Sequence, residues 1–398
     1  MPGETGGLVI DIVIVVLALL FAGHGYRQGF IISAATFVGF LGGAVLGVQL
    51  VPWIAGYYHD PSTKLLAALI VIFATALICQ AVCTFLGHKL RRHLRWEKLR
   101  KLDHIGGPIV SLSAVFLATW LIAAPLAMSS IPEVASAVRH SELVRTIDDH
   151  MPSPVQGVYE SMRDELNTSE IPDVFGGLRP TDAPDVPPPD PELAASPLVR
   201  DAEASVLKVH GSASRCSRQI EGSSFVYADD RVVTNAHVVA GTDSVQVESN
   251  GARYDARVTV FDSDADLAIL HVPGLEAPAL PLADQPAPDG EDSIVLGYPG
   301  GGDYTPTAAR IRDSRMVTGP NIYENGSTTR EVYQLRAQII SGNSGGPLLT
   351  TDGYIIGVIF AAALDDPETG YALTMNEAQS ALEAGLSSNA EVGTGACT

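Results

Sequence analysis

Positive charge is scarce in this sequence and unevenly placed. The 398 residues include 25 lysines and arginines against 45 aspartates and glutamates, which gives a net charge of −20. Residues 1–128 hold 9 basic and 5 acidic residues, which leaves 16 basic and 40 acidic residues for the remainder. Because phosphate contacts need clustered lysine and arginine, this acidic remainder argues against DNA or RNA as a partner.

Cysteine is also scarce, with four in the chain. No cysteine and histidine cluster has the spacing of a zinc site, so we predict no metal, and no motif calls for a cofactor. Cys79 and Cys83 lie four apart in an apolar run and are most simply small apolar residues in lipid. Cys216 and Cys397 lie in the acidic part, where an oxidising compartment favours a disulfide, although spacing alone leaves two free thiols possible.

Long apolar runs, by contrast, are abundant in the first third of the chain. Four of them, roughly Leu8–Ala22, Phe30–Val51, Leu65–Leu86 and Ile105–Met128, approach the length needed to cross about 30 Å of hydrocarbon. The first run is short enough for a signal peptide, but its amino-terminal flank lacks positive charge and three further runs follow. We predict an all-α, four-helix transmembrane domain over residues 1–128.

The basic residues of this domain set its orientation. Seven of its nine lysines and arginines lie within 88–104, "HKLRRHLRWEKLRKLDH". Short cytoplasmic loops concentrate such residues, so this loop should be cytoplasmic and everything after Met128 extracytoplasmic. The prediction is a multi-pass protein of the cell membrane whose acidic part faces the periplasm or cell wall.

Two features of the membrane domain have open interpretations. Gly39, Gly43 and Gly47 recur every four residues, either as a helix-packing face or as glycines that lipid tolerates. Asp11 at membrane depth either faces the bundle interior or a water path, or reaches the nearby outer surface. The run "DIVIVVLALLFAGHGYRQGF" (11–30) resembles the colicin V production protein family of small membrane domains.

Residues 129–200 read as a connector. The stretch 141–166 is polar with scattered apolar positions, as in one or two short amphipathic helices. The proline-rich stretch 179–197, "RPTDAPDVPPPDPELAASP", favours an extended, semi-rigid spacer, with a ligand for an aromatic groove as the alternative. We place the boundary of the last domain near Pro197 and its range at 201–398.

From Asp201 onward, short alternating apolar runs are broken by glycine, asparagine and aspartate. Many short strands without helix-length patterns between them predict an all-β sandwich or barrel fold, and about 195 residues suit two small barrels.

Three motifs in this part carry candidate chemistry. "VVTNAHVVAG" (232–241) places His237 after a strand, "FDSDADLAILHV" (261–272) places Asp266 before one, and "SGNSGGP" (341–347) places Ser344 in a glycine-rich turn. Each alone is ordinary turn chemistry. Together they fit a relay in which Ser344 attacks a carbonyl carbon, His237 takes its proton and Asp266 orients the imidazole.

The turn around Ser344 also offers backbone donors. Gly342, Asn343 and Ser344 are the candidate oxyanion-hole residues, because glycines on either side let N–H groups turn toward one point.

These motifs resemble the chymotrypsin-like serine proteases, particularly the HtrA-like branch, in which "TNAHVV", "DLA" and "GNSGGP" recur. That resemblance implies two perpendicular β-barrels with the triad in the cleft between them, and it puts Gln338 at the base of the substrate pocket and the strand with Phe360 and Ala361 in its wall. Too few residues follow position 385 for a PDZ module. With the colicin V-like front, the chain resembles the actinobacterial MarP-type periplasmic proteases, which implies a role in acid and oxidative stress resistance.

The sequence thus predicts a membrane-tethered serine endopeptidase that cleaves proteins or peptides of the cell envelope. The alternative is a membrane transport or scaffold protein whose protease fold only senses or binds. Esterase or amidase activity of the same triad, and the oligomeric state, stay open.

Overall fold

The computed structural model describes residues 2–55, 61–91, 97–127, 131–152, 181–216, 218–323 and 325–398. The chain forms two compact units, one with residues 1–126 and 137–156 and the other with residues 127–136 and 157–398. The first is helical, and the second contains every strand of the described chain.

The helical unit is built on four long helices. They are α1 (Pro2–Gln28), α2 (Phe30–Ala55), α3 (Pro61–Arg91) and α4 (Glu97–Ala127). The short helix α5 (Pro132–Arg139) is divided between the two units, and α6 (Glu142–Asp149) belongs to the first. All four long helices are long and apolar enough to cross a membrane, which confirms the predicted four-helix front. α6 matches the first amphipathic helix expected in the connector, and the rest of that expectation falls on 153–180, outside the described residues.

The glycine face of α2 packs closely on α3. A Cβ atom on Gly39 would lie 2.7 Å from Cys83 Cβ, and one on Gly43 would lie 2.7 Å from Ala76 Cα. The packing interpretation of these two glycines is confirmed, since any side chain would push the helices apart. Cys79 and Cys83 therefore contact the glycine face of α2, and each stays partly exposed.

Asp11 of α1 caps the start of α6. Its carboxylate accepts hydrogen bonds from the Ser141 hydroxyl and from the backbone N–H groups of Glu142, at 3.2 Å, and Leu143, at 3.1 Å. A carboxylate satisfies the unpaired N–H groups of a helix start and interacts favourably with the helix dipole. The described contacts give Asp11 a structural partner that neither interpretation from the sequence had named.

The second unit contains two closed six-stranded barrels. The first consists of β1 (Val206–Ala213), β2 (Arg218–Ala228), β3 (Arg231–Thr234), β4 (Ser244–Ser249), β5 (Ala252–Asp262) and β6 (Leu267–His271). The second consists of β7 (Asp292–Val295), β8 (Thr307–Pro320), β9 (Ser327–Arg336), β10 (Pro347–Thr350), β11 (Ile355–Ala362) and β12 (Thr369–Thr374). Short helices α7 (Pro197–Ala202) and α8 (Ala236–Val239) and the terminal helix α9 (Met375–Ser387) complete it. The predicted double-barrel fold is confirmed.

Alternating burial explains the strands of the first barrel. In β1, Leu207 and Val209 lie in the barrel core while Lys208 and His210 are partly exposed, as the period of two requires. The longest strand, β8, carries charged residues in its middle, which hides the alternation in the sequence, and no helix was expected where α9 follows the last strand.

The charged outer face of the second barrel binds the proline-rich segment 181–190. Arg312 Nη1 donates to the Pro184 carbonyl at 2.7 Å, and Gln334 Nε2 donates to the Asp182 carbonyl at 3.1 Å. Extended proline-rich backbone makes no internal hydrogen bonds, so its carbonyls are free to accept these donors. The segment forms no helix or strand, and it is bonded to the barrel along its length.

Candidate active site

His237 lies in α8, the single helical turn that follows β3. Its Nδ1 is 2.8 Å from Asp266 Oδ2, and its backbone N–H donates to Asp266 Oδ1 at 3.0 Å. Both oxygens of one carboxylate therefore hold the same histidine. Because Nδ1 is the donor toward this carboxylate, Nε2 is the nitrogen left to accept a proton, and it has no hydrogen-bond partner within the described part of the chain.

Asp266 adopts a left-handed backbone conformation, with φ of +59°, in the turn between β5 and β6. The Asp262 carboxylate accepts from the N–H groups of Asp264 and Ala265, and Asn235 Nδ2 donates to the Asp266 carbonyl at 2.8 Å. Residues other than glycine are rare at such φ values, and those that do occur cluster at functional sites. The conformation buries the carboxylate, with only 1% of the residue exposed, against the imidazole.

A buried arginine that the sequence did not single out lies behind this turn. Arg330 of β9 donates through Nε to the Asp264 carbonyl at 2.6 Å and packs over the Phe360 ring, 5.9 Å from its centre. Burial lowers the pKa of Arg330, while the nearby carboxylates, Asp266 first, act in the opposite direction. Arg330 thus supports the aspartate turn and adds positive charge near its carboxylate.

The turn around Ser344 depends on glycine at two positions. Gly342 has φ of +92° and Gly345 has φ of +84°. A Cβ atom on Gly345 would overlap the Ser223 carbonyl oxygen, so only glycine fits there. The turn is held by Ser223 N–H, which donates to the Ser344 carbonyl at 2.8 Å, and by Gly345 N–H, which donates to the Ile359 carbonyl at 2.7 Å.

Two carbonyl groups of this turn are held by hydrogen bonds. Each bond fixes the orientation of its peptide, and therefore the direction of the N–H group in the same peptide. The Ser341 carbonyl accepts from Gly300 N–H at 2.6 Å, and the Asn343 carbonyl accepts from Gly346 N–H at 2.9 Å. In a trans peptide the C=O and N–H point in opposite directions, so the N–H groups of Gly342 and Ser344 point away from these donors. Neither donates a hydrogen bond to any residue that the structure describes.

Asn343 differs from the other two candidate oxyanion-hole residues. Its N–H donates to the Ile340 carbonyl at 3.1 Å and closes a tight turn, so this donor is already used. The structure therefore corrects the predicted set of three to two available donors, Gly342 and Ser344.

Ser223 is the supporting residue that sequence reasoning missed. Its buried hydroxyl donates to the Gly342 carbonyl at 2.6 Å and accepts from Tyr298 N–H at 2.8 Å. It therefore ties the Ser344 turn to the start of the loop at 299–302. One sequence feature could have pointed to Ser223. It is a small hydroxyl residue directly after Gly222, at a point where β2 carries no apolar side chain.

The predicted pocket residues occupy different environments. Gln338 is exposed in the loop between β9 and Ser344, whereas Phe360 and Ala361 are buried in β11. Phe360 and Ala361 belong to the core shared by both barrels. An exposed Gln338 is not enclosed at a pocket floor in this structure, so the implied pocket stays a prediction.

The carboxy-terminal tail is fastened beside the histidine segment. Cys216 and Cys397 are joined by a disulfide, with their Cα atoms 6.5 Å apart. Gly241 N–H donates to the Thr394 carbonyl at 2.9 Å, and the Thr394 hydroxyl donates to the Thr242 carbonyl at 3.0 Å. These bonds lock the residues that come directly after α8. No cluster of three potential metal ligands occurs among the described residues.

The comparisons with known proteins agree with this architecture. The trypsin-like peptidase domain model matches residues 222–358, and the colicin V production protein model matches residues 10–152. Fold and family match together define a trypsin-like serine protease with a membrane domain in front of it.

Relatives over the full length define the family more narrowly. Serine protease Rv3671c of Mycobacterium tuberculosis is 40% identical over 390 residues, 98% of each chain. The crystal structure of the active form of the Rv3671c protease has 45% identity and a TM-score of 0.54, and covers 56% of this chain and 99% of that one. The chain belongs to the MarP-type family of membrane-anchored serine proteases.

A more distant similarity is confined to the protease part. The putative serine protease HhoB of Synechocystis is 36% identical over 170 residues, which is 41% of this chain and 39% of that protein.

Proposed function

We propose that this serine endopeptidase uses Ser344 as nucleophile, His237 as general base and Asp266 as the residue that orients the imidazole. Ser344 Oγ attacks the peptide carbonyl carbon, and His237 Nε2 takes the hydroxyl proton and returns it to the leaving amine. Water then hydrolyses the acyl-enzyme by the same steps in reverse roles. The N–H groups of Gly342 and Ser344 stabilise the oxyanion.

The observation that carries this proposal is the two-point contact of Asp266 with His237. The Nδ1 contact at 2.8 Å fixes the tautomer, and the backbone contact at 3.0 Å fixes the position of α8. Nε2 is left without a partner among the described residues, as a base awaiting a serine proton requires. Catalytic hydrogen bonds to the nucleophile often tighten only when substrate binds.

A peptide library tests the assignment and the specificity together. Full-length protein in detergent should cleave peptides internally, and Ser344→Ala and His237→Ala should both abolish cleavage while keeping the wild-type melting temperature. The small residues of 357–363 lead us to expect cleavage after apolar or medium side chains, near the proposed pocket of Gln338, Phe360 and Ala361. A strict preference for arginine or lysine would contradict that pocket.

We propose further that the protease unit lies outside the cytoplasm and cleaves cell-envelope proteins. The basic loop at 88–104 and the disulfide between Cys216 and Cys397 support this orientation, because disulfides persist in oxidising compartments. A membrane-impermeant protease added to intact spheroplasts should degrade the unit after residue 181. Protection of that unit, with cleavage only after lysis, would contradict the orientation.

A role in acid and oxidative stress resistance completes the proposal. It rests on the family resemblance and on the tail disulfide beside the histidine segment. A deletion strain should lose viability at low pH, and the wild-type gene should restore it. Equal rescue by the Ser344→Ala gene would assign the stress role to the membrane unit instead of to proteolysis.

A further inference from the structure

The loop at 299–302, "PGGG", holds one of the proposed oxyanion peptides, so any role of this loop in catalysis rests on that proposed function. Gly300 N–H donates to the Ser341 carbonyl at 2.6 Å, so the loop decides which way the 341–342 peptide faces. Gly300 and Gly301 both have positive φ, of 62° and 66°. Gly342, which ends the 341–342 peptide, also has a positive φ, of 92°, so neither this peptide nor the loop is held by glycine side chains, and both are free to rotate unless something outside them holds them.

The first barrel supplies that hold from its outer face. Lys208 Nζ of β1 donates to the Gly301 carbonyl and lies 3.7 Å from Glu221 Oε2 of β2. The Glu221 carboxylate also packs on the loop, because a Cβ atom on Gly301 would overlap its Oε2. The loop is thus fixed by a lysine whose own position is set by a glutamate on the neighbouring strand.

His210 stands at the other end of this cluster, between two carboxylates. Strand register places it directly opposite Glu221, with Nδ1 3.2 Å from Glu221 Oε1 and Nε2 3.0 Å from Glu248 Oε2 of β4. Arg253 of β5 donates through Nε to the same oxygen of Glu248, at 3.3 Å. Neutral imidazole has one N–H and can donate to only one of the two glutamates, whereas imidazolium donates to both.

We propose that Lys208 and Glu221 are positioning residues for the oxyanion hole, and that protonation of His210 strengthens their hold on the loop at 299–302. Neither residue touches the reacting atoms. They act through the Gly301 carbonyl, the Gly300 N–H and the Ser341 carbonyl, in that order.

The direction of the pH effect is set by the charges around His210. Acid adds a positive charge between Glu221 and Glu248, which fixes the Glu221 carboxylate against Lys208 and the loop. Gln246, opposite His210 on β4, is engaged by Asp255 and stays neutral. The hydrogen bond from His210 is the main cause that lowers the pKa of Glu248, so that carboxylate stays charged as the pH falls. The hold on the oxyanion peptide therefore increases when His210 gains a proton.

The test measures the rate of phosphonylation by a fluorophosphonate probe in the full-length protein in detergent. The probe places a phosphonyl oxygen in the oxyanion hole and carries no peptide residues. Its reaction rate therefore depends on the oxyanion hole and not on the binding of a peptide substrate. Loss of one oxyanion donor costs about 10²-fold or more, and Lys208→Met should cost a large part of this, at least about tenfold. Lys208→Arg, which keeps a donor for the Gly301 carbonyl, should restore most of the rate.

His210→Gln tests the pH step. The ratio of wild-type to variant rate should be near one at pH 8 and rise severalfold by pH 5.5, because any pH effect on the rest of the active site is common to both proteins and cancels in the ratio. Glu221→Gln should slow the reaction. In a protein that already carries Glu221→Gln, adding His210→Gln should change the rate by the same factor at pH 8 and at pH 5.5. Arg253→Met is the matched control, since Arg253 contacts Glu248 but not the loop, and its rate should equal that of the wild type.

The outcomes separate this inference from the proposed function. If the wild type is not labelled, the proposed nucleophile is wrong. If the wild type is labelled and folded Lys208→Met reacts at the same rate, the positioning role is refuted. A raised KM for peptides with an unchanged phosphonylation rate would refute it as well, because Lys208 would then contact substrate. A constant rate ratio across pH would overturn the role of His210.

Discussion

Replacing Ser223 by alanine is the sharpest perturbation of the proposed oxyanion geometry that leaves His237, Asp266 and Ser344 in place. The hydroxyl of Ser223 is fully buried and makes two hydrogen bonds, to the Gly342 carbonyl at 2.6 Å and from Tyr298 N–H at 2.8 Å. Alanine keeps the size of the side chain almost unchanged. The variant therefore removes the two bonds with little change in packing.

Ser223→Ala should lower both the free energy of unfolding and the rate of labelling at Ser344. A buried polar group left without a partner costs about 1 to 3 kcal/mol, so the two groups together should lower the free energy of unfolding by about 2 to 6 kcal/mol. The turn can recover part of this by rotating the 342–343 peptide so that the Gly342 carbonyl faces water. Gly342 joins that peptide to the 341–342 peptide and has no Cβ to resist the rotation, so the Gly342 N–H donor is displaced as well. Loss of one oxyanion donor costs about 10²-fold to 10³-fold in rate.

The neighbouring residue provides the control. Ser224 is equally buried, but its hydroxyl donates only to the Leu207 carbonyl, at 3.1 Å, on the side away from the turn. Ser224→Ala should lose about 1 kcal/mol of stability and keep the wild-type rate. Denaturant unfolding gives the stability, and fluorophosphonate labelling of Ser344, without denaturant and at a temperature at which both variants are folded, gives the rate.

A Ser223→Ala variant that is folded and is labelled as fast as Ser224→Ala would refute this reasoning. It would show that the 341–342 peptide keeps its orientation through the Gly300 contact alone, or that its orientation does not matter for the reaction.

Three further predictions concern other parts of the chain. Asp266→Asn should reduce the labelling rate about 10⁴-fold with little loss of fold, because asparagine favours the wrong tautomer of His237; unchanged kinetics would contradict the triad. Cys216→Ser should lower the melting temperature, because the disulfide with Cys397 closes a loop of 181 residues. The chain-entropy model gives this cross-link at most about 5 kcal/mol of stability. An equal melting temperature in reduced and oxidised wild type would argue against this. Asp11→Ala should speed hydrogen exchange of the Glu142 and Leu143 N–H groups, which lose their acceptor, while Val144 N–H keeps its bond to Ser141 Oγ; unchanged exchange at Glu142 and Leu143 would contradict this.

The parts of this protein that local pattern specifies were predictable from sequence. Apolar length identified the four long helices, and glycine spacing identified the face of α2 that packs on α3. Three short motifs singled out His237, Asp266 and Ser344, because each places a reactive side chain at a strand end or in a glycine turn, and the structure brings His237 and Asp266 into hydrogen-bonding contact.

The parts that depend on distant pairing were not predictable. Asp11 meets the start of α6 across 130 residues, and nothing near Asp11 in the sequence names that partner. β8 was missed because its outward arginines serve the proline-rich segment 181–190, whose role as a bound ligand of the barrel is visible only when both are folded. Ser223 and Lys208 escaped for the same reason, since their importance lies in the loop at 299–302 that they contact.

The central claim is that Ser344 is a nucleophile activated by His237, and labelling by a fluorophosphonate tests it most directly. The full-length, oxidised protein should be labelled at Ser344, as mapped by mass spectrometry, and Ser344→Ala and His237→Ala should each abolish the label. Absence of label in folded wild-type protein, or label that survives in His237→Ala at the wild-type rate, would contradict the account.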